Sequence, residues 1–254
     1  MDSRLLKKLA TALLFAATSL GFVPSASAGL IFDRGLPTTN LNNAAGASRS
    51  NVAWADGDPL VISIGDNFTI GSAIAIDTIR VWVVGKVGVA APGAGAFTLW
   101  LGPDPGPVSS LVFSTSVTSV TYADMSTYQG SSGAFRPIYQ VDFSGIDLWT
   151  PAGTYAFGVA GPNSDGYPQP FLHASNGPLS GSLQMGSDGS IYGFDSAGLM
   201  VTGYPWASTN GGWDKDSDVN VQVFGVPEPS TIALIGIALL SLFGFGLMRR
   251  RQDV

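Results

Sequence analysis

Cysteine is absent from the 254-residue chain, histidine and glutamate occur once each, and charged residues make up only 12%. Without cysteine there are no disulfides, no thiolate metal sites and no cysteine nucleophile, so stability has to come from packing. His173 is the only imidazole, and no G-x-S-x-G pattern surrounds any serine. A Ser-His-Asp hydrolase would therefore need His173 to meet a serine through folding alone, and a loop histidine in ordinary hydrogen bonds is the simpler reading. The only glutamate is Glu228, so a glycosidase would have to take both acid and base from aspartates, among which no spacing singles out a pair. Zinc would find one histidine and otherwise only carboxylates. No catalytic constellation is recognisable, and the chain reads as a non-enzyme with no implied cofactor. Basic residues are scarce too: residues 29–225 carry six against fifteen aspartates, a formal charge of −9. Such a surface repels anionic lipid and nucleic acid, and no nucleic-acid partner is expected.

What is present is concentrated first at the two ends. Arg4, Lys7 and Lys8 form a positive region, residues 9–22 an apolar one, and Ala26-Ser27-Ala28 an A-x-A site. Together they predict a signal peptide over residues 1–28, cut between Ala28 and Gly29. At the other end, Val226-Pro227-Glu228-Pro229-Ser230 precedes an apolar run at 232–248 and then Arg249, Arg250 and Arg251. The two prolines lack amide donors and hold their preceding residues away from the helical region, so the backbone there is extended and accessible. Seventeen uncharged residues make a helix of roughly 25 Å, at the short end of what crosses a bilayer core of about 30 Å. The three arginines behind it favour the cytoplasmic side and act as a basic stop, which places everything before Pro227 outside the cytoplasm.

This three-part tail over residues 226–254, with Pro227, Glu228 and Pro229 as its motif, closely resembles the PEP-CTERM sorting signal. That signal is read by exosortase, an integral-membrane cysteine transpeptidase of exopolysaccharide-producing Gram-negative bacteria. The resemblance implies an exosortase partner and an inner-membrane-anchored precursor, held by the C-terminal helix before processing. It then implies a cell-surface or extracellular-matrix destination, with exopolysaccharide as a further partner. It names a destination and no activity.

Residues 29–225 have a length usual for one all-β domain. Apolar residues alternate with period two at Phe97, Leu99 and Leu101; at Leu111, Phe113 and Val117; at Tyr139, Val141 and Phe143; at Tyr155, Phe157 and Val159; and at Val219, Val221 and Val223. From Ile74 to Val83 the parity flips, which predicts a bulge or bend near Asp77. Glycine and proline turns separate these segments, and no long amphipathic helix intervenes. The prediction is an antiparallel two-sheet sandwich, jelly-roll-like. Segments such as Asp66-Asn67-Phe68-Thr69-Ile70 and Pro151-Ala152-Gly153-Thr154-Tyr155 are similar to the β-sandwich passengers found ahead of such signals, a likeness that carries over no catalytic residue.

Residues 161–213, dense in Gly, Pro, Ser and Asn with short apolar pieces such as Ile191-Tyr192-Gly193-Phe194, read as long loops bridging brief strands and the expected place of any binding site. Tyr204, Trp206 and Trp213 lie there, where rings can stay exposed and stack on the flat C–H faces of sugars, making them candidate glycan-binding residues. Asp214-x-Asp216-x-Asp218 matches the start of a calcium loop, but Val219 stands at the turn-glycine position and Gly225 at that of the bidentate acid. It is not an EF-hand; a solvated turn is the simpler reading, with a calcium site as the sharper one. The sequence thus predicts a structural or glycan-binding surface protein, with a secreted carbohydrate-active enzyme using aspartates as the alternative.

Overall fold

A computed structural model of the chain describes residues 28–37, 50–53, 60–85, 88–110, 114–119, 127–129, 135–161, 170–175, 191–201 and 218–227. Among them there is no α-helix, only one short 3-10 turn at Ala94–Ala96. The strands are β1 (Gly29–Asp33), β2 (Ser50–Ala53), β3 (Ser63–Ile70), β4 (Ile74–Val84), β5 (Thr98–Pro103), β6 (Ser109–Ser110), β7 (Ser114–Ser119), β8 (Thr127–Gln129), β9 (Phe135–Thr150), β10 (Gly153–Ala160), β11 (Leu172–Ser175), β12 (Tyr192–Phe194), β13 (Asp218–Val219) and β14 (Val221–Pro227). They form two antiparallel sheets. The larger runs β1-β14-β4-β11-β13, with β2 on β11 and with β9 on β4 carrying β7 and β8; the smaller runs β12-β3-β10-β5-β6.

Strand alternation decides what each sheet buries. The larger sheet supplies Ile74, Ile76, Ile79, Val81, Val83, Val141, Phe143, Val219, Val221 and Val223, and the smaller one Ile64, Phe68, Leu99, Leu101, Phe157 and Val159; all belong to one continuous apolar cluster. Two short connections pass the chain between sheets at the same end of the molecule, residues 71–73 from β3 to β4 and residues 151–152 from β9 to β10. The smaller sheet is also covered on its far face, where Val108, Ala156 and Phe194 are buried with Trp100, Tyr192 and Met200 packed against them. Close strand approach there depends on a missing side chain: a methyl on Gly65 would run into the Phe157 carbonyl. Gly65→Ala is accordingly expected to destabilise the domain.

The parity flip in β4 is a bulge. Against β14, Phe224 pairs with Thr78 and Gly225 with Ile76, so Asp77 is the extra residue; against β9, Ile76 pairs with Leu148 and Thr78 with Ser144, so the surplus there lies on β9, at Gly145, Ile146 and Asp147. The expected strands around Leu99, Val141, Phe157 and Val221 are present with their apolar residues buried. Leu111 and Phe113 lie outside the described residues. One expectation is corrected: His173 is not on a loop. It sits in β11, which pairs with β2, β4 and β13 inside the larger sheet. Trp82, on the face of β4 opposite the core, is also fully buried, so the outer face is covered at that point.

Candidate functional site

The strands bordering the two expected address signals, β1 and β14, pair at one end of the larger sheet. Gly29, the expected first mature residue, opens β1 and pairs with Gly225, while Leu30 pairs with Phe224. On its other side β14 pairs with β4 down to Val226↔Ala75 and Pro227↔Ile74. Proline is tolerated at a strand end because no further ladder bond is required of it. The extended conformation read from Pro227 is therefore that of the last residue of a strand. Among the described residues, the first strand begins at the expected cleavage point and the last ends on the first residue of the motif. Ala28 is half-buried and Gly29 exposed.

The other concentration of polar groups lies inside the sandwich. Arg34 follows β1 and is fully buried, with Nη1 2.6 Å from Asp66 Oδ2 as a close ion pair and 3.9 Å from Asp218 Oδ1. Its Nη2 donates to Asn67 Oδ1 at 3.3 Å, and its guanidinium lies 5.3 Å from the Phe32 ring centroid. Asp66 also accepts hydrogen bonds from the backbone N–H of Val219 at 2.9 Å and of Asn67 at 2.7 Å. Because Asp66 is on the smaller sheet and Val219 on the larger, the bond between them joins the two layers. Next to them Asn220 Nδ2 donates to the carbonyls of Arg34 and Gly35 and to Ser175 Oγ, at 3.0, 3.2 and 2.9 Å. His173 Nδ1 lies 2.8 Å from Asn220 Oδ1, an oxygen that only accepts, so Nδ1 carries a proton.

One guanidinium faces two carboxylates in a site without water access, which leaves one negative charge too many if both ionise. Burial accordingly pushes Asp66 up from 3.8 to about 7, against the pull of Arg34 and helped by the nearby Asp218. A raised carboxyl pKa means that the folded state holds its proton more tightly than the unfolded one. The stabilisation is complete below the unfolded value near 3.8 and is lost as pH rises through about 7. At about 1.4 kcal/mol per tenfold change in proton affinity, this proton is worth on the order of 4 kcal/mol. We expect urea denaturation midpoints to fall between pH 5 and pH 8, and Asp66→Asn, which keeps an uncharged acceptor for Val219, to flatten that fall. An unchanged slope in the variant would assign it to other groups.

Ser175 Oγ accepts from Asn220 Nδ2, and Asn220 Oδ1 in turn faces His173 Nδ1. Asp142 is held in a bidentate ion pair by Arg80 on the outer face, at 2.7 and 2.9 Å. Of the sequence-predicted calcium ligands, Asp218 is buried beside Arg34, where a guanidinium already supplies positive charge; Asp214 and Asp216 lie outside the described residues. So do Tyr204, Trp206, Trp213, Glu228, Pro229, Arg249, Arg250, Arg251, the signal segment before Ala28 and the run at 232–248. Among the described residues no group of side chains is suited to holding a metal ion, and no helix is long and apolar enough to cross a membrane.

No curated protein and no solved structure matches the chain. A family match lies in the tail and starts within β14. Residues 225–251 match the PEP-CTERM protein-sorting motif, the mark of exported proteins that exosortase processes.

Proposed function

We propose that the sandwich is a passenger: a non-enzymatic surface or extracellular-matrix component, structural or glycan-binding, that exosortase releases from an inner-membrane-anchored precursor. The observation that carries this reading is the sorting motif beginning on the last strand of the domain, with no further folded element between passenger and signal. The paired first and last strands also suit a jelly-roll-like description of the two sheets. Structural use of the passenger is in keeping with its interior, where Arg34, Asp66 and Asn220 tie segments far apart in sequence into one unit.

Two measurements test the reading. Expressed in an exosortase-bearing host, the chain should lose its C-terminal tail, seen as a mass decrease, and leave the membrane fraction; retention at full mass would count against it. The released form, screened on a glycan array with and without calcium, separates the two roles. Binding that Trp206→Ala and Trp213→Ala weaken by roughly tenfold or more, at unchanged melting temperature, selects glycan recognition; tenfold corresponds to about 1.4 kcal/mol. Absence of binding selects the structural role. Hydrolysis of an arrayed glycan would instead select the aspartate-based enzyme.

A further inference from the structure

At the end of the larger sheet where β14 stops, apolar side chains share the outer face. Ile74 and Ile76 point into the core, so Ala75 between them points outward, and its cross-strand partners Val226 and Trp149 point the same way. Further up β14, Phe224 is paired with Leu30 of β1. Trp149 is 47% exposed and Leu30 49%; Ala75, Phe224 and Val226 are half-buried. An indole and a leucine at this exposure, joined by three further apolar residues, form a patch rather than scattered single residues.

We propose that this patch rests on the lipid surface of the membrane that holds the unprocessed chain, in the headgroup layer of neutral phospholipid. The proposal rests on the anchored-precursor reading above and adds the face by which the domain meets the bilayer. Only residues 228–231 separate Pro227 from the apolar run. Four residues reach about 14 Å at full extension. With that run in the bilayer, the end of β14 cannot leave the neighbourhood of the headgroups. Gly29 pairs with Gly225, so the signal segment, while still attached, tethers the same edge. The patch therefore faces the one apolar phase within its reach.

The chemistry of the patch fits that location. Tryptophan has an apolar ring and a polar N–H, and it favours membrane–water interfaces for that reason. The charges around it select the lipid. Asp147 is exposed two residues before Trp149, Asp77 forms the neighbouring bulge, and Arg80, whose guanidinium lies 5.1 Å from the Phe224 ring centroid, has its charge paired with Asp142. Anionic headgroups are repelled by this border, and neutral ones are not.

The absence of cysteine allows a clean test, because each introduced thiol is the only one in the chain. Leu30→Cys and Trp149→Cys would be spin-labelled in the full-length protein reconstituted in phosphatidylcholine vesicles. Leu60→Cys and Val89→Cys serve as controls, since these residues are 66% and 48% exposed but lie beyond the opposite ends of β3 and β4. Labels at 30 and 149 should be several-fold less accessible to a water-soluble relaxation agent, and more accessible to oxygen, than labels at 60 and 89. Replacing part of the lipid with phosphatidylglycerol should reduce that contrast. Equal aqueous accessibility at all four positions in vesicle-bound protein overturns the proposal and leaves the anchored precursor intact. Protection that vanishes on dilution to one chain per vesicle also overturns it, because a second copy would then be covering the patch. Failure of the chain to float with the vesicles overturns both readings.

Discussion

Replacing Pro227, Glu228 and Pro229 together with alanine should abolish processing and leave the chain in the membrane fraction at full mass. The recognition element is then gone, while the apolar run and the three arginines behind it are untouched. The fold gives this experiment its specificity. Pro227 is the last residue of β14, and the strand's core residues, Val221 and Val223, lie upstream in a register that the substitution does not touch. Alanine restores an amide N–H at a strand end, which costs the ladder nothing. Loss of processing would thus report on recognition and not on unfolding, and a melting temperature close to that of the parent would confirm the separation. Normal processing of the triple variant by the native host would falsify the sorting assignment. The same geometry bounds the parent's product. A cut inside β14 would strip a strand that lies between β1 and β4 and contributes fully buried valines, so the released protein should retain residues through Val226.

The parts of this architecture that were legible in the sequence are those written in local periodicity. Alternation placed Leu99, Val141, Phe157 and Val221 on buried faces, and the parity change across β4 located the bulge at Asp77, because a one-residue insertion must invert every later side chain. β11 cannot be placed from sequence because Leu172, His173, Ala174 and Ser175 contain too little apolar contrast to alternate, within a stretch that reads only as long loops bridging brief strands. Its strand character comes from its neighbours, which supply ladder partners on both sides. The polar cluster was illegible for a related reason. Arg34, Asp66, His173 and Asn220 come from four distant segments, and nothing in the spacing of a cation from a carboxylate 32 positions later signals contact. Asp218 stood out only as the last of three alternating aspartates, a local pattern that directed attention to metal when its side chain faces an arginine from the other end of the chain.

That arginine carries the largest expected effect on stability. Arg34→Met keeps most of the side-chain volume and removes the charge, which leaves Asp66 and Asp218 buried without their guanidinium. Removing one partner of a buried ion pair costs about 3–5 kcal/mol, since the remaining charge stays desolvated and uncompensated. Against a total stability of about 5–15 kcal/mol for a domain, that is a large fraction. The contact over the Phe32 ring and the hydrogen bond to Asn67 are lost as well. Because the damage arises from ionised carboxylates, it should depend on pH: protonation relieves it, so the variant should lie closer to the parent at pH 5 than at pH 8. Adding Asp66→Asn should recover part of the loss at pH 8, as it removes one of the two stranded charges and preserves an acceptor for Val219. Urea denaturation of the parent and both variants at the two pH values is the measurement. A single variant within about 1 kcal/mol of the parent at pH 8 would put Arg34 among the weakly contributing ion pairs typical of surfaces, and the two sheets would then be held together by the apolar core alone.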